Sequence, residues 1–300
     1  MDSTSRSKLN AGPFLDYCIS QFGWTDLSND TVLDIGCGKH LNLATALLEK
    51  FSKVKSVVNI DRNPEIVVHA RRLIRRKILK CHVADIEDRD SLEGFEGRIN
   101  KVISTYTFHH IRKIKEAFRN VHLVLRPGGE AGFLFYIRSG AHEWLTEMLS
   151  KPKWKAIYKG EDILDLLPQE LSSAKYQTMV LKLGFTIVEC HEEIRVTPCA
   201  SDEICKEALY KLTQKFFNIP SELLDDFKED AFKTFVKIHG RNRMGKPRFT
   251  ATELFLLIRK SVTKLRNIRM LKWQHLTRAL RRVPVMRSNN KMVVRLPSRR

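Results

Sequence analysis

The chain has 300 residues, of which 43% are hydrophobic and 29% charged, which supplies a core and excludes a disordered or fibrous chain. Its formal charge of +19 is unevenly spread: residues 261–300 hold 12 Lys/Arg and no Asp/Glu, leaving 41 basic against 34 acidic residues over 1–260. The first 260 residues therefore call for no polyanionic ligand, and any case for nucleic acid or membrane rests on the tail.

The first predicted element is a helix with Phe14, Leu15, Cys18, Ile19 and Phe22 at helical spacing and Gly23 as its stop. TVLDIG from residue 31 is a short apolar strand running into an acidic-glycine turn, and 42–51 is the helix after it. SVVNID at 56–61 is a second strand, followed by a helix that opens on Pro64 and runs toward Arg75. ILKCHVAD at 78–85 is a third strand and KVISTYTFHH at 101–110 a fourth. Ile114, Ala117, Phe118, Val121 and Leu125 then mark one face of an amphipathic helix, which Arg126-Pro-Gly-Gly is expected to end. EAGFLFYI at 130–137 is a fifth strand. Residues 139–182 interrupt the alternation with helix and aromatic-rich loop (Trp144, Trp154, Tyr158, Tyr176), and are expected to form an insert suited to a substrate lid. GFTIVECHEEIRV at 184–196 returns to strand, helices follow near 202–214 and 221–238, and TATELFLLIRK at 250–260 is the last strand.

Alternation at this spacing predicts a doubly wound, mostly parallel, Rossmann-like α/β sheet of seven strands over residues 1–260, with 261–300 as an appended basic tail. Such a sheet binds ligands outside the carboxyl ends of its strands, near the topological switch. Asp34, Asp61, Asp85 and the pair His109/His110 all fall at predicted carboxyl ends, which locates the site.

Gly36 and Gly38 allow a tight turn with close approach of backbone to ligand. A nicotinamide dinucleotide fits poorly: the third glycine of its fingerprint is Leu41, and Asp34 would sit where the pyrophosphate lies. S-adenosylmethionine has no phosphate, and its ammonium group favours nearby acids. A carboxylate at Asp61 can accept both ribose hydroxyls, and Asp85 can accept from the adenine amino group with Ile86 packed on the base.

The stretches VLDIGCG, VVNIDRNPEIVVHAR, HVADIED, KVISTYTFHHI and VLRPGGEAGFLF resemble those of class I S-adenosylmethionine-dependent methyltransferases, over about residues 28–138. AFRNVHLVLRPGGEA at 117–131, GFTIVECHEEIRV at 184–196, SDEICKEALY at 201–210 and residues 227–260 resemble, more narrowly, the juvenile hormone acid O-methyltransferases of arthropods. The resemblance implies that Asp34, Gly36 and Gly38 line the methionine end of S-adenosylmethionine. It further implies that Asp61 with Arg62 holds the ribose, Asp85 with Ile86 the adenine, and that Ser104 and Thr105 form the wall beneath the sulfonium methyl. It implies a long apolar terpenoid acid as acceptor. The chain departs from the pattern at His40, where the class has its last glycine, and at His110, where most of these relatives have a tryptophan.

A carboxylate acceptor is ionised near neutral pH and needs no general base, so alignment and exclusion of water are the enzyme's tasks. His110 is expected to be the closer catalytic histidine and His109 the second, either donating one hydrogen bond to the acceptor or, for a phenol, taking its proton. The remaining histidines show no metal spacing, so no metal is expected. The six cysteines are scattered and are expected to be reduced thiols, mostly buried. Without a signal core or an apolar run of spanning length, the expected location is cytoplasmic. The tail, with Leu265, Ile268, Leu271, Leu276 and Leu280 among arginines, suits an anionic membrane surface or a protein partner, and RNA is the less favoured alternative. Two further readings stay open: a methyltransferase with another acceptor (phenol, amine or RNA), and a catalytically silent protein that kept the sheet.

Overall fold

Thr31–Ile35, predicted from its apolar run, forms the central strand β1 and is buried along almost its whole length, as a strand covered by helices on both faces must be. A computed structural model describes residues 3–160 and 171–262, and those up to Ser261 belong to one compact unit. In chain order the described elements begin with α1 (Ser3–Phe22), β1, α2 (Asn42–Lys50), β2 (Ser56–Asp61), α3 (Pro64–Leu73), β3 (Leu79–Val83), β4 (Ile99–Thr105), α4 (Ile114–Val124) and β5 (Leu125–Arg138). They continue with α5 (Ala141–Leu149), α6 (Pro152–Ala156), α7 (Ser173–Lys182), β6 (Phe185–Pro198), α8 (Asp202–Thr213), α9 (Leu224–His239) and β7 (Arg248–Lys260).

The seven described strands form one sheet in the order β3-β2-β1-β4-β5-β7-β6. β1 pairs in parallel with β2 and β4, β2 with β3, and β4 with β5, whereas β7 runs antiparallel between β5 and β6. The strand order reverses direction between β1 and β4, so the crevice lies at their carboxyl ends, as expected for a doubly wound sheet.

Period-two alternation divides the apolar residues between two faces. Leu33, Ile35, Val58, Phe133 and Phe135 share a core with Phe118 and Val121 of α4 and with Tyr176 and Val180 of α7. Val32, Val57, Ile103 and Leu134 face Phe14, Leu15 and Cys18 of α1 and Leu47 of α2. α4 buries Ile114, Ala117, Phe118, Val121 and Val124, one stripe at helical spacing, each large apolar side chain stabilising by roughly 1.5–3 kcal/mol. α1 lies so close to β5 that a Cβ at Gly132 would come within 2.6 Å of the Cys18 sulfur.

The Arg126-Pro-Gly-Gly segment does more than end a helix: α4 stops at Val124 and β5 begins at Leu125. Leu125 pairs with Ile99, but the next pair is Glu130 with Lys101, so residues 126–129 arch outward before the ladder resumes. At this amino end of the sheet Glu130 accepts hydrogen bonds from Trp24 Nε1 at 2.7 Å, Lys101 Nζ at 2.6 Å and Arg259 Nη2 at 2.7 Å, joining β4, β5, β7 and the segment after α1.

α5, α6, α8 and α9 build a separate cap with its own core of Trp144, Met148, Trp154, Phe217, Phe227 and Phe232. The aromatic insert is thus divided. Trp144 and Trp154 are cap core, with indole N–H groups donating to Ala231 O and Asp230 Oδ2, both at 2.9 Å. Tyr158 pairs with Phe217, and Tyr176 is buried against the sheet. Of the basic tail, residues 263–300 lie outside the described residues.

Candidate active site

At the crevice between β1 and β4 lies a cavity of about 250 Å³, at the small end of ligand pockets. Its wall contains Gly36, Asp61, Arg62, Asp85, Ile86 and His110, six of the residues singled out in the sequence, with Glu87, Tyr106, Thr107 and Ile111 between them. Residues widely separated in the chain meet here because parallel strands bring their carboxyl ends to one rim.

The glycine turn after β1 is shaped by contact as much as by dihedral angle. Gly36 has φ +74° and Gly38 φ +62°, both in the left-handed region. A Cβ at Gly36 would fall 2.0 Å from Thr107 Oγ1, so the close approach this glycine allows is to the turn after β4. The turn is tied to β2: the Gly36 and Cys37 N–H groups donate to Ile60 O at 2.8 and 3.1 Å, and Gly38 N–H donates to Asp61 Oδ2 at 3.2 Å. His40, exposed, sets its ring edge-on to His69 at 6.0 Å and is absent from the cavity wall, so the missing third glycine does not block it.

Asp34 is buried within β1 rather than on the wall, and its Oδ2 has no hydrogen-bond partner. Burial, with Cys81 and Asp61 adding to it, pushes its carboxyl up from 3.8 to about 8. Asp61 ends β2 with Oδ1 accepting from Asn63 N–H at 3.0 Å, which leaves its carboxylate fixed at the rim. Asp85 accepts from Glu87 N–H at 2.9 Å, and the Ile86 carbonyl accepts from Asn120 Nδ2 at 2.8 Å, which pins the third rim segment to α4. Arg62 reaches Glu87 at 3.8 Å.

The turn after β4 brings a change of partners. Ser104 is buried and donates to Ile35 O at 2.8 Å, stitching β4 to β1, and neither it nor Thr105 lies on the cavity wall. Tyr106 and Thr107 stand there instead, because Tyr106 takes φ +54° and redirects the chain. Phe108–His110 forms a single 3-10 turn in which Phe108 plugs the core and His109 is buried. The His109 ring packs on His110 at 4.0 Å and on Tyr136 at 5.1 Å, and its Nδ1 has no partner. Burial, and then the neighbouring His110, holds His109 well below the ordinary imidazole range, so it is neutral. His110 is the histidine that reaches the cavity.

These groups fit S-adenosylmethionine better than a phosphorylated nucleotide. Asp61, Asp85 and Glu87 line the cavity against the single cation Arg62, and the unpartnered oxygen of Asp34 lies two residues from Gly36. Acids at the rim suit hydroxyl, amino and ammonium donors and repel phosphate. Among the described residues no cluster of three or more His, Cys, Asp or Glu could hold a metal ion, and no helix is long and apolar enough to cross a membrane.

Comparison with known proteins agrees in class. Residues 26–180 match the methyltransferase domain family, and the chain belongs to it. Its seven-stranded sheet has the class I topology, the fold of S-adenosylmethionine-dependent methyltransferases. Among individual proteins, the chain is similar to the juvenile hormone acid O-methyltransferase of Bombyx mori, with 25% identity over 76% of this chain and 81% of the relative. Its similarity to the protein of the same name in Drosophila melanogaster is 23% identity over 72% of this chain and 74% of the relative. The YcgJ protein of Bacillus subtilis shares the fold at 16% identity and a TM-score of 0.52, over 81% of this chain and 97% of that one.

Proposed function

We propose that this chain methylates a carboxylate oxygen of a small apolar acid of the farnesoic or juvenile hormone acid type. The observation that carries the reading is one wall holding Gly36, Asp61, Asp85 and His110 in a chain that resembles two juvenile hormone acid O-methyltransferases over some three quarters of its length. Bound S-adenosylmethionine would supply an electrophilic methyl group on sulfur. Asp61 with Arg62 would hold the ribose, Asp85 with Ile86 the adenine, and Asp34 beneath the Gly36–Gly38 turn would balance the ammonium. Ser104 would act from below by tying β4 to β1, with Thr105 leading into the Tyr106–Thr107 wall.

The acceptor carboxylate is already a nucleophile, so the residues around it need only orient and dry it. His110 donates one hydrogen bond to the oxygen that does not attack, leaving the other oxygen free. Neutral, buried His109 braces the His110 ring. Since Trp144 and Trp154 are spent in the cap core, Ile111 and the Tyr106 ring supply the apolar surface nearest the reacting end.

The test is incubation of the full-length protein with methyl-labelled cofactor and a panel of farnesoic, juvenile hormone, fatty, aromatic and phenolic acceptors. A labelled methyl ester of a terpenoid acid is expected; label on a phenol or amine, or on nothing, overturns the proposed acceptor. In the same assay, single-turnover transfer by His110→Ala should be roughly tenfold slower, the loss of one hydrogen bond to a charged group. An unchanged rate would remove His110 from the proposal.

A further inference from the structure

Tyr106 is a tyrosine in left-handed backbone, a conformation that residues with a Cβ seldom take unless their surroundings impose it. Two hydrogen bonds anchor the residue at its backbone and at its phenol. The Tyr106 N–H donates to Leu134 O at 2.7 Å, and the phenol donates to Glu253 Oε1 at 2.7 Å. Glu253 belongs to β7, is 1% exposed and lies off the cavity wall. The same Oε1 accepts from Arg195 Nε of β6 at 3.3 Å, so the buried carboxylate is paired. Burial, and then the bond to Glu253, raises the phenol above its ordinary range and keeps it a donor. The ring packs on Tyr136 at 5.1 Å. The next residue, Thr107, is the one that Gly36 approaches so closely, so any change of backbone at Tyr106 moves the contact between the two cavity turns. β6 and β7 are the strands between which α8 and α9 of the cap are strung.

We infer that Arg195, Glu253 and Tyr106 form a positioning chain through which the cap-bearing antiparallel strand pair β6–β7 fixes the cofactor wall of the cavity. The inference rests on reading that cavity as the S-adenosylmethionine site. Its consequence is specific: a carboxylate outside the cavity sets affinity for the cofactor, through the oxygen it offers to the Tyr106 hydroxyl.

The experiment is calorimetric titration of the full-length protein with S-adenosylhomocysteine, with the thermal midpoint of each variant recorded alongside. Tyr106→Phe and Glu253→Ala should each bind about tenfold more weakly, the scale of one buried hydrogen bond. Glu253→Gln, whose amide oxygen still accepts, should stay within about twofold of wild type. The double variant Tyr106→Phe/Glu253→Ala should be no weaker than the weaker single, because both act on one bond. Wild-type affinity in Tyr106→Phe, or a Glu253→Gln as weak as Tyr106→Phe, overturns the chain. Should Glu253→Ala not fold, those two variants still decide it. If wild type itself fails to bind, the cavity reading falls and this inference with it; binding by wild type with equal binding by Tyr106→Phe removes the inference alone.

Discussion

Asp34 holds a proton that a solvated carboxyl would lose, because the interior around β1 offers no partner for its second oxygen. Its carboxyl rises from 3.8 to about 8, so near neutral pH the folded protein keeps a proton that the unfolded chain releases. The stability tied to this group is therefore fully present below pH 3.8 and is lost as pH rises through about 8. A cation entering the cavity reverses the balance and favours the carboxylate. Binding of S-adenosylhomocysteine at pH 7 should accordingly release part of a proton, read from calorimetric heats in buffers of different ionisation enthalpy. Asp34→Asn should bind without proton release, and the free variant should lose less stability than wild type between pH 5 and 8. Equal heats for both proteins in every buffer would separate Asp34 from the cation. The position of Asp34 was legible from its place before the glycines, but its protonation was not, since that depends on β2 and β3 closing over it. His109 teaches the same lesson: the resemblance already favoured His110 as the closer histidine, but the burial of His109 was not legible, since one turn of 3-10 helix sends it to the core while His110 reaches the cavity.

At the scale of elements, β1, β2, β3, β6 and β7 were readable to within about two residues, whereas β4 stops at Thr105 instead of running on to residue 110 and β5 starts at Leu125 instead of residue 130. β1 to β3 were legible because parallel strands buried on both faces leave continuous apolar runs that end in acids. Asp61 and Asp85 were found this way. The wall after β4 was not: Ser104 and Thr105 were named there only by the family resemblance, and nothing in Ser-Thr-Tyr-Thr announces a left-handed Tyr106, which a partner 147 residues away holds in place. Glu130 was equally silent, because its partners Trp24, Lys101 and Arg259 are brought together only by strand order. Burial drives its carboxyl up, but the hydrogen bonds from Lys101, Trp24 and Arg259 outweigh this and leave it below the ordinary range. The stability it supplies is thus present above pH 4.5 and lost as pH falls below that value. Glu130→Ala leaves Lys101 and Arg259 without their shared acceptor and should cost about 3 kcal/mol, lowering the thermal midpoint by roughly 6–12 °C at pH 7. Because Glu130 is at the amino end of the sheet, affinity for S-adenosylhomocysteine should not change, and the gap between variant and wild type should narrow in acid. A loss of affinity would show that the two ends of the sheet are coupled.

For the whole described molecule, the apolar residues form three clusters: two sheet faces and a cap whose core is its own. A cap with a separate core can loosen without unfolding the sheet, since local stability follows local burial. Trp154 is the place to test this. It is fully buried among cap residues, packs edge-on against Phe227 at 5.2 Å and donates to Asp230, and none of these groups borders the cavity. Trp154→Ala should remove about 3–5 kcal/mol from the cap. Hydrogen exchange should then quicken in α5, α8 and α9 while the amides of β1, β2 and β4 keep their protection. Cofactor affinity should hold within about twofold, since Glu253 and Arg195 sit on strands anchored in the sheet rather than on cap helices. On the proposal that the cap covers the acceptor, methyl transfer to a long apolar acceptor should fall more than cofactor affinity does. Loss of protection in β1 and β4 to the same extent as in the cap would mean that cap and sheet fold as one cooperative unit, and the cap could not then act independently on the acceptor.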